Sequence, residues 1–355
     1  MRRWAKRLAV VAALVGLGLL APVIWIESAC MHAAAPVASG YTPILPAEHR
    51  RNSIDTYLTY PEWAIVHAYE DFAAVVRTRS ESGFGYFASI GGFWRNLCAM
   101  TRHASARGTI AADVRAMLHI IGVSFTAEMG VKGLYENSIG RMSEVLRGNG
   151  RTPEDQFALA VADDYAKFLR QTPWYEYPFG ATLARFWSEV PWSGGSLARK
   201  VERRLGLSLE YGVKAVYAKA IGALAGLAPA KTRIRSVVRG LHELDLARDA
   251  RITLLERRGD GTSIIETPRY RDFTEILAAL ALRERDFVEI AGNDEIFVTV
   301  LAPPGASAGE PLIATPLQAR FGWQRHGHVY KIGALAAAIR GFDRDGILLE
   351  HVYDY

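Results

Sequence analysis

The chain writes one phrase twice. Glu128 to Gly140 reads EMGVKGLYENSIG, and Glu210 to Gly222 reads EYGVKAVYAKAIG. Glu, Gly, Val, Lys, Tyr, Ile and Gly stand at the same seven offsets, with the copies 82 residues apart. Two further pairs precede it in the same order. AYEDFAAVVR (68–77) matches VADDYAKFLR (161–170), and YFASIGGFW (86–94) matches FGATLARFW (179–187), both at an offset of 93. Self-similarity of this kind marks repeated structural units. The expectation is a helical domain over 56–240 built from two copies, about 60–146 and 153–230, packed with approximate two-fold symmetry.

Within the phrase, Glu128, Lys132, Tyr135 and Ile139 recur at helical spacing, as do Glu210, Lys214, Tyr217 and Ile221. At 100° per residue each set forms one narrow stripe. Gly130 and Gly212 fall opposite, where they would let another helix come close. Three readings of the stripes stand side by side. One is a half-buried network that joins the copies. Another is a solvated Glu–Lys pair worth ~0.2–0.5 kcal/mol. The third is a polar site in which Glu128 or Glu210 is the acid or base, with Lys132, Lys214, Tyr135 and Tyr217 as electrostatic partners.

The N-terminus fixes location. MRRWAKR precedes LAVVAALVGLGLLAPVIWI, 19 uncharged residues from Leu8 to Ile26. At a rise of ~1.5 Å per residue this nearly spans a ~30 Å hydrocarbon layer. Trp4 and Trp25 sit near its ends, and the basic flank keeps residues 1–7 inside. A cleaved signal peptide fits less well, because the h-region is long and Pro36 follows the small residues at 33–35. A lipoprotein reading through Cys30 meets Glu27 at an unsuitable position. The expectation is an uncleaved single-pass anchor (8–26) in the inner membrane, a stalk (27–55), and a body outside the cytoplasm.

Net charge is +5, and Arg2, Arg3, Lys6 and Arg7 supply four of it. The body is therefore near neutral, and no nucleic-acid partner is expected. Cys30 and Cys98 are the only cysteines. They could pair in an oxidising compartment, but a chain this large does not need a staple, so the favoured reading is one residue near the membrane and one buried small apolar residue.

The stretch 206–228 is long and fairly apolar, as a second span would be. Glu210, Lys214 and Lys219 lie inside it and would be costly at mid-bilayer. Its counterpart at 124–146 carries more charge, so both read as bundle helices. The basic residues Arg199, Lys200, Arg203 and Arg204 on one side, and Lys231, Arg233 and Arg235 on the other, would suit a membrane-surface helix.

From 241 to 355 short β-branched runs alternate with two helical stretches, which predicts an α+β domain of ferredoxin-like or related sandwich type. Hairpins are expected across 251–270 and 286–303, helices at 271–285 and 332–342, and strands at 312–321 and 347–355. The overall fold class is α+β.

Aromatic clusters give a second candidate site. YPEWAIVHAYED (60–71) brings Tyr60, Trp63 and His67 together, and PWYEYPFG (173–180) precedes the second Phe-Trp. With Trp94 and Trp187 they would line an apolar ligand pocket, although such residues are more often core. His67-Ala-Tyr-Glu70 reverses the order used in carboxylate-bridged di-metal bundles and is not duplicated, so no metal is expected. His326 and His328 lack a nearby Cys or carboxylate and read as a loop. No GxSxG, Walker A, Rossmann, CxxC or HExxH pattern is found. The sequence names no reaction and no cofactor. It points to binding or scaffolding of a lipid-like ligand or envelope protein at the membrane, with a tethered Glu/Lys/Tyr enzyme as the alternative.

Overall fold

In the computed structural model, which describes residues 2–31, 40–148, 150–225, 232–306 and 308–355, the N-terminal apolar stretch lies within one helix, α1 (Arg2–Ala29). Its end does not stand clear of the body. Ile26 and Cys30 are buried against the helical core. Glu27 pairs with Arg115 and His119. Cys30 is disulfide-bonded to Cys98, 68 residues away. The expectation of unpaired cysteines is thus corrected: packing of the α1 terminus brings the two together.

The stalk is corrected in the same way. Beyond 32–39, which lie outside the described residues, 40–54 runs along a sheet. Glu289 there accepts hydrogen bonds from the Tyr41 hydroxyl (2.6 Å) and the Leu45 amide (2.9 Å). Leu45 is buried with Val237 and Ile264.

The helical region follows with α2 (Asp55–Leu58), α3 (Tyr60–Thr78), α4 (Tyr86–Ser105) and α5 (Ala112–Tyr135). Helix α5 continues through a π turn (Glu136–Gly140) into α6 (Arg141–Arg147). Then come α7 (Pro153–Phe168), α8 (Phe179–Glu189) and α9 (Leu197–Ala225). Helices α3 and α7 begin 93 residues apart, as do α4 and α8 and the 3₁₀ turns Glu81–Gly83 and Trp174–Glu176 that precede them. Local chemistry sets these starts. Pro61 and Pro153 occupy first turns, where no amide partner is needed, and Thr152 with Asp155 forms a capping box on α7.

The glycines that permit close helix approach are not those expected. A Cβ on Gly130 would meet nothing, and one on Gly212 only Leu183 at 4.0 Å. Instead a Cβ on Gly122 would lie 2.6 Å from Trp94, on Gly133 2.7 Å from Tyr86, and on Gly206 2.7 Å from Tyr135. These three set the α4–α5 and α5–α9 spacings.

The C-terminal region begins earlier than 241, at β1 (Arg233–Arg239), and continues α10 (Glu243–Arg248), β2 (Thr253–Arg257), β3 (Thr262–Pro268), α11 (Tyr270–Leu282) and β4 (Asp286–Ile290). It then gives β5 (Glu295–Ala302), β6 (Ile313–Pro316), β7 (Gln324–Lys331), α12 (Ile332–Arg344) and β8 (Leu348–Val352). The hairpin of β2 and β3 forms as expected. That of β4 and β5 does not, because the two strands enter different sheets. His326 and His328 lie on strand β7 rather than in a loop.

Two four-stranded antiparallel sheets result, ordered β2-β3-β1-β4 and β6-β7-β5-β8. They share one topology at a constant offset of 62 residues. Strand β5 begins 62 after β1, β7 after β3, α12 after α11 and β8 after β4. Even the bulges correspond, between Val237 and Val238 and between Thr299 and Val300. Residues of both sheets and both helices form one core. The single ferredoxin-like sheet is therefore corrected to a pair of βββαβ units.

The disulfide generates a test. It closes a long loop, and its loss should cost ~2–4 kcal/mol. Cys98→Ser is expected to lower the melting temperature of the full-length protein and to leave Cys30 open to alkylation. An unchanged melting temperature would mean that α1 is not held by this bond.

Candidate functional site

The two Glu–Lys stripes face each other. Lys214 Nζ lies 2.7 Å from Glu128 Oε1, and Lys132 Nζ lies 2.9 Å from Glu210 Oε1. Each glutamate of one phrase thus meets the lysine of the other. Lys214 also reaches its own Glu210 at 3.3 Å and donates to the Tyr69 hydroxyl at 2.9 Å, while Tyr69 donates to Glu128. Burial alone would raise the Glu210 carboxyl, but Lys132 and Lys214 outweigh it and hold Glu210 down to about 2. Lys214 is held well above its ordinary value, because Glu128, Tyr69 and Glu210 outweigh the opposing desolvation. Neither group is poised to exchange a proton near neutrality. The cavity beside them holds about 40 Å³, room for a few waters.

The tyrosines of the phrases do not join this centre. Tyr135 donates to Glu202. Tyr217 is exposed and stacks near Trp174, with ring centroids 5.1 Å apart. The six-residue acid–base set is therefore corrected to a four-residue ion quartet completed by Tyr69, which the sequence reading did not select.

Below the quartet lies a larger group that sequence reasoning assigned to a membrane-facing flank. Arg199, Lys200, Arg203 and Arg204 are 1–2% exposed. Arg199 pairs with Glu81, Asp155 and Glu202, all within 3.1 Å. Arg203 pairs with Glu136 at 3.0 Å and with Glu202 at 2.5 Å. Arg204 binds Glu154 and stacks on Trp192, 3.8 Å from the ring centroid. Lys200 donates to the Pro191 and Ser193 carbonyls. Buried charges survive only when paired in this way, and removing one partner of such a pair costs ~3–5 kcal/mol. Lys231 lies outside the described residues, while Arg233 and Arg235 pair with Glu266.

Arg147, Arg199 and Arg203 together face four carboxylates, those of Glu81, Glu136, Asp155 and Glu202. One acid is in excess. Glu136 bears the consequence: desolvation, opposed by Arg203 and reinforced by Glu81, pushes it up to about 7. It begins the π turn, and its carboxylate occupies the space a Gly140 Cβ would need.

The second candidate set disperses. Trp63 stacks on His351 with centroids 3.4 Å apart. Tyr60 accepts from Asn96, which also reaches Thr315 of β6. His67 sits between Glu70 (3.0 Å) and Glu350 (3.5 Å). Trp94 donates to Thr126, and Trp187 is half-exposed and donates to Ser208. These five residues therefore do not line one pocket. Tyr60, Trp63 and His67 belong to a seam between α3 and the second sheet. His67, Glu70 and Glu350 offer donor atoms within 4.8 Å of one another. Arg170 already neutralises Glu70, and Arg325 binds Glu350 at 2.7 Å, so the group works as an ion-pair seam.

A roomier site lies elsewhere. An open groove of about 1090 Å³ runs between the 171–178 loop, the start of α8, the last turns of α9, Thr232 and Tyr270. Tyr175, Tyr177, Phe179 and Tyr270 form aromatic walls, and Glu176 and Lys219 add charge. Tyr270 has φ 65°, a strained conformation for a bulky residue that costs ~1–3 kcal/mol. Asp354 holds it there by accepting the Tyr270 amide (3.0 Å) and Arg269 Nε (2.9 Å). The aromatic run at 173–180 carried a signal for this groove. Tyr270 and Thr232 carried none, because only the tertiary fold brings them to it.

Among the described residues one helix is long and apolar enough to cross a membrane by length and composition alone, the continuous Ala112–Arg147. Comparison of the chain with protein families, with curated proteins and with solved structures gave no match.

The raised Glu136 yields a pH test. A carboxyl with a folded pKa near 7, above its ordinary 4.5, binds its proton more tightly in the folded state. Its contribution is full at acid pH and is lost as pH rises through 7. Glu136→Gln should therefore flatten the fall in melting temperature between pH 5 and pH 8. An identical slope in both proteins would refute the excess-acid assignment.

Proposed function

We propose that this chain is a membrane-anchored envelope protein, with its body outside the cytoplasm, that binds a lipid-like molecule in the groove beside Tyr270. The groove carries the reading. Its volume lies at the upper end of ordinary ligand sites, and its walls combine aromatic faces with a few charged groups. A strained residue in its lining fits a functional surface.

The compartment rests on two observations. Residues 8–26 carry no charge behind a basic N-terminus. The Cys30–Cys98 bond suits an oxidising space such as a periplasm. The helical body is read as two copies of one unit, supported by the shared order and offsets of α3, α4, α7 and α8 and by the reciprocal Glu–Lys pairs. The Glu/Lys/Tyr enzyme is not adopted, because Glu210 is held well below and Lys214 well above the ordinary range by their partners, around a cavity of only about 40 Å³.

Native mass spectrometry of the detergent-extracted full chain tests the groove. A retained lipid or amphiphile is expected. Gly180 lines the groove and has open space around its Cβ position, so Gly180→Phe should displace the ligand without changing the melting temperature. Retention of the same ligand by Gly180→Phe, or none in the wild type in any mild detergent, would defeat the proposal.

A further inference from the structure

Helices α5 and α9 have reversed polarity. A helix at a protein surface normally turns apolar residues inward and charges outward. On α9, Arg199, Lys200, Glu202, Arg203 and Arg204 are buried, and Glu210 and Lys214 are partly so. Its exposed positions are Val201, Leu205, Leu209, Val213 and Val216, each 42–72% accessible. On α5 and its continuation, Met117, Ile120, Val131, Leu134, Ile139 and Met142 are exposed at 50–70%. Between 116 and 146, and between 197 and 223, Arg141 and Lys219 are the only charged residues among the described exposed positions. Both are basic.

The two apolar stripes share one side. Contacts pair Glu128 with Lys214, Lys132 with Glu210, Glu136 with Arg203 and Gly140 with Arg199. One number falls as the other rises, so the helices run antiparallel. The reciprocal pairs exchange equivalent positions of the two helices. A two-fold axis that exchanges antiparallel helices stands normal to their common plane, and both stripes then face the same way.

We infer that this face lies on the bilayer, with α5 and α9 in the membrane plane and their stripes among the acyl chains. The inference rests on the anchored reading above. Three observations select lipid as the occupant. The anchor ends against α5 itself: Glu27 pairs with Arg115 and His119, one turn apart on a flank of the helix, so α5 lies where the anchor joins the body. The stripe from 116 to 146 is ~46 Å long at 1.5 Å per residue, more apolar length than a monomer leaves to water. The exposed charges are basic and complement anionic lipid. Trp187 and Trp192, exposed beside α9, suit the interfacial depth.

Helix α5 does not cross the bilayer in this arrangement. Trp94 and Tyr86 of α4 pack against Gly122 and Gly133 of α5. The other side of α4 meets the second sheet, through Asn96 with Thr315 and Ser89 with Gln318. A slab that α5 crossed at 122–133 would enclose that polar sheet, which an in-plane helix avoids.

Spin labels on the full chain test this in vesicles of phosphatidylethanolamine with phosphatidylglycerol. Single cysteines are introduced as Val131→Cys, Val213→Cys, Leu14→Cys in the anchor and Glu243→Cys at an exposed site of the C-terminal region. The native cysteines stay bonded and unlabelled. Labels at 131 and 213 should be several-fold more accessible to oxygen than to a nickel chelate, as at 14, while 243 shows the reverse. If 14 reads lipid but 131 and 213 read water, or are shielded from both reagents by protein, the in-plane proposal falls and the anchor stands. If 14 itself reads water, the anchored reading fails and takes the proposal with it.

Discussion

Pairing of opposite charges between α5 and α9 is the constraint on which the helical body depends. A carboxylate or guanidinium inside a bundle is tolerable only beside a counter-charge, and each of these helices supplies the other's. Close approach is needed for that, which is why Gly206 of α9 sits against Tyr135 of α5. The π turn at Glu136–Gly140 lies where Glu136 meets Arg203. Charge drawn inward also leaves the opposite faces apolar. The ion quartet and the outward stripes are two sides of one arrangement, and neither calls for catalysis.

The rest of the molecule is fastened to this body at three places. The disulfide and Glu27 hold the end of α1 on α4 and α5. Residues 40–54 cross to the first sheet through Glu289. The seam of His67, Glu70, Asp71, Arg325 and Glu350 holds α3 to the second sheet. The groove opens where the helical body meets the first βββαβ unit, and Asp354, at the chain's end, props the strained Tyr270 that completes it. A ligand there would touch both parts of the protein.

What could be read from sequence follows the strength of local pattern. The α+β class, the helix-rich first part and the meeting of the two Glu–Lys stripes were legible, because periodicity and repetition are local signals. The aromatic run at 173–180 pointed to one wall of the groove. The basic run at 199–204 misled, since burial of an arginine depends on carboxylates up to 118 residues away. The hairpin expected at Asn293-Asp294 misled because a turn signal does not say which sheet the next strand joins. The 62-residue correspondence of the βββαβ units was invisible: Ile234 matches Ile296 and Val238 matches Val300, but the helices α11 and α12 share almost nothing beyond apolar spacing. The two units share topology and apolar spacing rather than matching residues, whereas the ion quartet needs particular residues, which makes its phrase readable.

The central claim is that the repeated Glu and Lys residues hold the two helices together by pairing across them. A charge exchange tests it most directly. Glu128→Lys and Lys214→Glu would each place like charges together and should lower the melting temperature of the full-length protein by several degrees. Combined with Lys132→Glu and Glu210→Lys, they restore every opposite pair of the quartet, and most of the lost stability should return. If the single changes leave stability intact, or if the fourfold exchange recovers nothing, these residues are not a structural clasp.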